Sequence, residues 1–216
     1  MDAQERIARR VAQELKSGML VNLGIGLPTQ VANFLPSDIT VFLQSENGLI
    51  GLDARPPEGM EDEDLTDAGG RPVTAIPGAA RIDSALSFGL IRGGHLDMTV
   101  LGGLQVDAQG LLANWTIPGK MVPGMGGAMD LVTGAKRVVV AMSHTAKGVP
   151  KIVKRCQWPV TSMRPVHLIV TDLAVIEVTP KGLALRERAP GVSVREVVEA
   201  TEAPLLMGDS VPEMKV

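Results

Sequence analysis

The sequence predicts a single domain, residues 1–216, of the α/β class: an open mixed sheet flanked by helices. Segments with strand character alternate with helical segments in the first half of the chain, and short strands cluster in the second half. Hydrophobic residues make up 45% of the chain and charged residues 21%, which is typical of a protein with an ordinary core. The largely apolar runs Arg137–Met142 and Val166–Val170 fit strands that are buried on both faces. Sheets of this kind bind ligands where loops leave the carboxyl ends of the strands.

The first half of the chain begins with an amphipathic helix. Ile7, Val11 and Leu15 recur at the spacing that places them on one helix face, and Gly18 ends the pattern. Pro28 suits the first turn of a second, short helix. We predict, in order, a helix over 3–16, a strand over 19–23, a helix over 28–34, strands over 39–43 and 73–76, and a helix over 82–91.

Turn signals separate the elements of the second half. Gly93 and Gly94 end the preceding helix, and the segment 107–110 predicts a turn between two short strands. We predict strands over 97–101, 104–106, 111–115, 137–142 and 166–170, a hairpin of 175–178 with 183–188, and helices over 128–134 and 194–200.

Residues 51–72 form a long acidic loop with two adjacent prolines. A calcium site is one interpretation, but the spacing of the carboxylates does not fit a calcium-binding loop. We favour a solvent-exposed flap. The loops expected at the carboxyl ends of strands are 22–28, 44–48 and 118–128, and these are the places where a functional site is expected.

Composition argues against several function classes. The net charge is −3 and aromatic residues make up 2% of the chain, which disfavours nucleic-acid binding through charge or stacking. Cys156 is the single cysteine, so an internal disulfide and a multi-cysteine metal cluster are excluded. His95, His144 and His167 are too scattered to predict a metal site, and no Gly-x-Ser-x-Gly nucleophile motif is present.

Membrane insertion and secretion are also disfavoured. No apolar run approaches the roughly 20 residues that a membrane-spanning helix needs. The first residues carry acids and lack the basic-then-apolar pattern of a signal peptide. The sequence therefore predicts a cytoplasmic protein without a membrane partner.

Glu46 and two glycine-rich loops are the candidates for chemistry. Glu46 follows an apolar strand and directly precedes Asn47 and Gly48, so a stiff support would hold its carboxylate at the rim of the sheet. Such a carboxylate can act as a nucleophile or a general base, whereas the alternative is an ordinary turn residue. The glycines of 24–26 and 124–127 would let a ligand approach the backbone, and the second loop precedes a helix start that can face an anion. Tight turns without a ligand are the alternative for both loops.

Several motifs resemble those of the family I coenzyme A transferases. Ser45-Glu46-Asn47-Gly48 is similar to the glutamate motif of that family. The stretch 114–132, which reads NWTIPGKMVPGMGGAMDLV, is similar to its 3-oxoacid branch. Two further stretches, 91–95 and 143–148, extend a resemblance that covers about residues 4–205 and points to the B (beta) half of such an enzyme.

The resemblance implies an open α/β fold and an enzyme that moves coenzyme A (CoA) from an acyl-CoA to a free acid, typically from succinyl-CoA to acetoacetate. It implies a separate A (alpha) subunit in a hetero-oligomer, with the active site between the two halves. CoA and the acids are substrates, and no permanently bound cofactor or metal is expected. The matching nucleophile is Glu46, which would form a covalent glutamyl-CoA thioester. The other implied positions are Asn22, Gly126 and Gly127 in the oxyanion or substrate region, and Gly24, Gly26, Asn47 and Lys120 near the CoA or acyl group.

Other functions are consistent with the same residues. The chain could belong to a 3-oxoadipate or acetate CoA-transferase of the same family. It could be a non-catalytic module that binds CoA or a nucleotide through its glycine loops. It could also be a structural partner of the A subunit, with Glu46 as a turn residue.

Overall fold

The structure is a computed structural model that describes residues 1–120, 122 and 124–216. Met121 and Pro123, which belong to the glycine-rich loop predicted over 118–127, lie outside the described residues. The helices are α1 (Ala3–Ala12), a 3₁₀ helix (Leu27–Phe34), α2 (Ser84–Arg92), α3 (Ala128–Gly134) and α4 (Val194–Glu199). The strands are β1 (Leu20–Leu23), β2 (Phe42–Ser45), β3 (Leu49–Leu52), β4 (Ala75–Arg81), β5 (Met98–Leu101), β6 (Gln105–Asp107), β7 (Leu112–Ala113), β8 (Arg137–Ala141), β9 (Thr145–Ala146), β10 (Val149–Pro150), β11 (Ile152–Val153), β12 (Leu168–Val170), β13 (Ala174–Thr179), β14 (Gly182–Arg188) and β15 (Leu205–Met207).

The main sheet is open and mixed, with the order β15-β14-β13-β12-β8-β5-β1-β2-β3-β4 in the described part of the chain. Its centre, from β12 to β2, is parallel throughout. Antiparallel hairpins flank this centre on both sides. The predicted fold class is confirmed. The parallel centre brings the carboxyl ends of neighbouring strands to one edge, where a ligand site is expected.

The core has two layers, one on each face of the sheet. In β8, Val138 and Val140 contact the layer formed with α2, α3 and α4, whereas Val139 contacts the layer formed with α1 and the 3₁₀ helix. This alternation follows from the two-residue period of a strand. Because both faces are covered, the central strands are apolar on both sides, which accounts for the continuous hydrophobic runs of the sequence.

Helix α1 is shorter than predicted, ending at Ala12 instead of residue 16. Its start is fixed by the Asp2 side chain, which accepts a hydrogen bond from the Glu5 N–H at 2.7 Å. Leu15 continues the apolar spacing and is buried, but it lies beyond the end of the helix. Burial of an apolar residue beyond the helix end therefore accounts for the overestimate.

The largest differences from the predicted elements lie around residues 39–81. The strand predicted over 39–43 corresponds to β2, which runs later. β3 is not predicted as a strand, and its last two residues lie in the predicted loop 51–72. The strand predicted over 73–76 corresponds to β4, which extends to Arg81 although it contains Pro77 and Gly78. β4 forms an edge of the main sheet, and an edge strand tolerates a residue that cannot donate to the ladder.

The later elements agree in position and differ in their ends. Of the segment predicted as a strand over 111–115, only β7 is a strand. β7 belongs to a separate small sheet with the order β11-β6-β7. The hairpin predicted from 175–178 and 183–188 is present as β13 and β14. The edge strand β15 is an element that the sequence patterns do not predict. None of the described helices is long and apolar enough to cross a membrane.

His144 is buried between the end of β8 and the hairpin of β9 and β10. Its ring nitrogens contact the hydroxyls of Thr171 and Thr201 at 2.8 and 2.9 Å. Burial lowers the pKa of His144 to about 4, although the nearby Asp172 charge acts in the opposite direction. The ring is therefore neutral in the folded protein near neutral pH.

The free energy of unfolding is expected to fall as the pH falls below about 6.5, because the unfolded chain then binds a proton at residue 144 that the folded protein does not bind. The loss ends when the pH falls below the folded pKa, and between about pH 7.5 and about pH 5 it amounts to roughly 2 kcal/mol. Urea unfolding of the wild type and of a His144→Gln variant at both pH values measures it. The variant should lack this part of the pH dependence, whatever its absolute stability, and an equal pH dependence in both proteins would contradict the assignment.

Candidate functional site

Glu46 occupies the first position of the turn that joins β2 to β3, at the carboxyl end of a central strand. The turn is tight because Gly48 has a φ of +123°, and a Cβ at that position would collide with the carbonyl oxygen of Ile82. The Asn-Gly turn predicted from the sequence is therefore required by the packing of the chain after β4. It holds the Glu46 carboxylate, which is partly buried, at the rim of the sheet.

Asn22 lies beside Glu46, near the end of the neighbouring strand β1. Its side chain is 1% exposed, and its Nδ2 donates a hydrogen bond to Glu46 Oε2 at 3.0 Å. Burial of a polar side chain is costly unless the side chain forms hydrogen bonds, and the contact with Glu46 is one of the bonds that offset this cost. The contact holds one carboxylate oxygen in a fixed place.

Gly127 approaches Glu46 from the segment that precedes α3. A Cβ built on Gly127 would lie 3.1 Å from Glu46 Cγ and 3.2 Å from Oε1. The backbone of Gly127 is buried and has an ordinary φ of −80°. Glycine is needed there for space and not for backbone conformation. Asn22 and Gly127, which are distant in sequence, thus meet at the same carboxylate.

A cavity of about 410 Å³ opens beside Glu46. The apolar part of its wall includes Leu23, Leu43 and Val73, and Gly24 also lines it. Apart from Glu46, the charged part of its wall comes from the segment 51–73. The described residues that line the cavity are 23–25, 29, 32–33, 43–46, 52–55, 67–69 and 71–73.

The segment 51–72 is held against this site. Ser45 Oγ accepts a hydrogen bond from the Ala68 N–H at 2.8 Å, and Asn47 Nδ2 donates to the Thr66 carbonyl at 2.8 Å. The two residues that flank Glu46 therefore fasten the segment. The prediction of a flap exposed to solvent is incomplete, because the acidic tip is exposed but both ends form a wall of the cavity.

The remaining predicted site residues are Gly24, Gly26, Gly126 and Lys120. Gly24 packs against β5, where a Cβ would lie 3.0 Å from the Val100 carbonyl oxygen. Gly26 begins the 3₁₀ helix with a φ of +87°, and Gly126 has a φ of +51°. Lys120 is exposed and is not among the described residues that line the cavity. These positions stay predictions.

Other reactive groups lie elsewhere. Burial raises the pKa of the Cys156 thiol to about 12, with a smaller contribution from the Asp107 charge, and its Sγ–H contacts the Leu111 carbonyl at 3.4 Å. A thiol in this state is a poor nucleophile. Among the described residues, no group of three or more His, Cys, Asp and Glu side chains could hold a metal ion.

Sequence reasoning does not identify Gln44, Ser87 and Thr99 as site residues. Gln44 and Thr99 lie on β2 and β5, and Ser87 lies on α2. All three are buried. Thr99 and Gln44 each form a hydrogen bond with Asn22, and Ser87 accepts a hydrogen bond from Gln44. The signal that could have revealed them is the presence of polar residues in strands that are otherwise apolar.

Comparison with known proteins gives consistent results. The sequence model described as "Coenzyme A transferase" matches residues 4–200. The chain is 57% identical over 204 residues to the beta chain of the acetate CoA-transferase of Escherichia coli (strain K12), a match that covers 94% of this chain and 93% of that protein. It is 52% identical over 201 residues to the B subunit of the succinyl-CoA:3-ketoacid coenzyme A transferase of Helicobacter pylori (strain ATCC 700392 / 26695), a match that covers 93% of this chain and 97% of that protein.

A solved structure supports the fold. The chain superposes on the acyl-CoA transferase YdiF of Escherichia coli O157:H7 with a TM-score of 0.79 at 22% identity. The match covers 99% of this chain and 43% of that longer chain. At this identity the similarity demonstrates the fold alone.

Proposed function

The chain belongs to the coenzyme A transferase family, and we propose that it is the B subunit of an enzyme that transfers CoA from succinyl-CoA to a 3-oxo acid such as acetoacetate. The observation that carries the proposal is the Glu46 carboxylate, fixed by Asn22 and closely approached by Gly127 at the mouth of a cavity. A separate A subunit completes the site, in keeping with the names of the relatives, which are themselves single subunits of larger enzymes.

In the first step of the proposed reaction, a Glu46 oxygen attacks the thioester carbonyl carbon. A carbon–oxygen bond forms, the carbon–sulfur bond breaks, and the CoA thiolate leaves with the bonding electrons. Thiols ionise near pH 8.5, so a thiolate is a leaving group that even a weakly nucleophilic carboxylate can displace. The product is a mixed anhydride between the acyl group and Glu46.

In the second step, the thiolate attacks the Glu46 carboxyl carbon and expels the first acid as a carboxylate. Glu46 then carries CoA as a thioester, and the acceptor acid reverses the sequence. Charge and atoms balance without a proton transfer, so a general base is not required. The described contacts of Glu46 agree with this chemistry, because they join it to an amide and a glycine instead of a histidine.

Both steps pass through tetrahedral oxyanions. The candidate donors are Asn22 Nδ2 and backbone N–H groups of the Gly126–Gly127 segment, whereas the Ala128 N–H is already bonded to the Met125 carbonyl. Each well-aimed donor stabilises such a transition state by roughly 3 kcal/mol. The fastened wall of segment 51–72 and the A subunit would keep water from the anhydride.

The cavity wall bears on the choice of acid. Arg55 and Arg71 line the cavity, and Arg71 lies 3.8 Å from Asp67 Oδ2, which is a long distance for an ion pair. A cation with a loose partner can bind the second carboxylate of a dicarboxylic acyl group. This favours succinyl-CoA as the donor over acetyl-CoA, although two relatives are named for acetate.

Purification of this chain together with an A subunit, followed by transfer assays, tests the proposal. We expect transfer from succinyl-CoA to acetoacetate to be faster than transfer to acetate or 3-oxoadipate, and we expect this chain alone to be inactive. A preference for acetate would reassign the substrate within the family. Binding of CoA without transfer in the assembled protein would point to a non-catalytic module, and full activity without the A subunit would contradict the shared site.

A further inference from the structure

A row of buried polar side chains crosses the centre of the main sheet. Thr99 on β5, Asn22 on β1 and Gln44 on β2 are direct cross-strand neighbours. They are 0%, 1% and 2% exposed, and they lie on the face that is covered by α2. Ser87 of α2, 0% exposed, contacts the end of the row. Buried polar groups in a sheet centre are costly unless every member is bonded, so the arrangement requires an explanation.

The hydrogen bonds of this polar row have one consistent direction. Thr99 Oγ1 donates to Asn22 Oδ1 at 3.3 Å. Asn22 Nδ2 contacts Gln44 Oε1 at 3.1 Å, the Gln44 carbonyl oxygen at 3.2 Å and Glu46 Oε2 at 3.0 Å. Gln44 Nε2 donates to Ser87 Oγ at 2.9 Å.

Two obligate acceptors fix this direction. The Gln44 carbonyl oxygen and the Glu46 carboxylate can only accept, so the Asn22 nitrogen must face them. Asn22 Oδ1 must then face Thr99, whose hydroxyl has to donate. Gln44 must present its oxygen to Asn22 and its nitrogen to Ser87. Reversing either amide would place two acceptors or two donors in contact inside the core.

We propose that Gln44, Thr99 and Ser87 are positioning residues that hold the Asn22 N–H on Glu46 Oε2, an inference that rests on the proposed function of Glu46. Thr99 and Ser87 are not among the described residues that line the cavity, and Gln44, which borders it, is only 2% exposed. During the reaction Oε2 becomes the oxygen on which negative charge develops when the thiolate attacks the Glu46 carboxyl carbon. A donor that is already locked in place stabilises that charge without reorganising.

A double-mutant cycle tests whether Gln44 acts through Asn22. Asn22→Ala, Gln44→Leu and the double variant are assembled with the A subunit, and kcat, KM and the rate of Glu46–CoA thioester formation are measured. For Gln44→Leu we expect kcat to fall about tenfold, less than the loss of a direct donor, with KM changed by less than about twofold. The double variant should lose no more than Asn22→Ala alone, because coupled residues are not additive. Additive losses would overturn the proposal.

Matched substitutions at Thr99 decide the matter if Gln44→Leu fails to fold. Thr99→Val removes the hydroxyl and keeps the shape, whereas Thr99→Ser keeps the hydroxyl. We expect Thr99→Val to lower kcat several-fold, Thr99→Ser to restore most of it, and Thr171→Val, which removes a buried hydroxyl next to His144, to leave kcat unchanged. Equal activity of Thr99→Val and the wild type would refute the positioning role. If Thr99→Val is fully active and Glu46→Gln is inactive, the positioning role is wrong but the proposed function stands. If the wild type transfers no CoA, the proposed function itself is wrong.

Discussion

Replacement of Glu46 by glutamine is expected to abolish CoA transfer in the assembled enzyme. The substitution keeps the size of the side chain and its place in the turn after β2. An amide is not a nucleophile toward a thioester, so neither the anhydride nor the enzyme thioester can form. We expect at least about a thousandfold loss of kcat, comparable to the loss of other covalent nucleophiles. The exposed Glu58→Gln in the acidic segment is a control that removes the same charge and should retain wild-type activity.

Chemical trapping distinguishes the covalent route from an electrostatic role of the carboxylate. Wild-type enzyme incubated with succinyl-CoA and then with borohydride should carry a reduced Glu46 side chain, which mass spectrometry of the peptide around residue 46 detects. Unmodified peptide after a turnover that is otherwise normal would rule out the thioester. The Glu46→Gln variant should show no modification under the same conditions.

Replacement of Gly127 by alanine is expected to produce the second-largest loss. The added Cβ would lie 3.1 Å from Glu46 Cγ, so the glutamate must move away from Asn22 or the segment before α3 must shift. Because a displacement of about 1 Å at a reacting group can cost about a hundredfold in rate, we expect kcat to fall by about that factor. The φ of −80° at Gly127 is acceptable for alanine, so the loss would arise from crowding and not from backbone strain.

Gly89→Ala is the matched control for this substitution. Gly89 lies inside α2 with an ordinary backbone conformation, and a Cβ there would meet nothing within 4 Å. Its replacement should leave kcat unchanged and raise the stability of the helix slightly. Wild-type activity of Gly127→Ala would show that the segment before α3 does not confine Glu46 during catalysis.

The turn that carries Glu46 could be predicted from the sequence because it depends on local signals, whereas the nucleophile role of Glu46 is implied by the family resemblance and stays a prediction. Asn47 and Gly48 indicate a tight turn directly after an apolar strand, and the structure contains that turn. The predicted strand, 39–43, lies too early in the chain, because the prediction follows the apolar residues. Gln44 and Ser45 are polar, but they pair with β3 and belong to the strand. Sequence patterns favour apolar strands, and a polar strand end that faces a site is missed for that reason.

The rest of the candidate site depends on long-range contacts that no local pattern encodes. Asn22 meets Glu46 because β1 and β2 are adjacent and parallel, and Gly127 reaches it from the segment before α3, which is distant in sequence. Ser87 contributes to the polar row from a helix that precedes β5 in the chain. The similarity of the motifs to a known family indicated Asn22 and Gly127, whereas the polar row and the fastened segment 51–72 required coordinates.

The four residues 45–48 each meet a different geometric demand. The Ser45 hydroxyl accepts a hydrogen bond from the Ala68 N–H, and the Asn47 amide donates one to the Thr66 carbonyl. Glu46 carries the carboxylate of the candidate site, and Gly48 lacks the Cβ that would collide with Ile82. An engineer who wishes to retune the enzyme for other acids should therefore leave this tetrapeptide intact. The useful positions for such redesign are Thr29, Ala32 and Asn33, which line the cavity from the 3₁₀ helix and lie outside the segment 51–72.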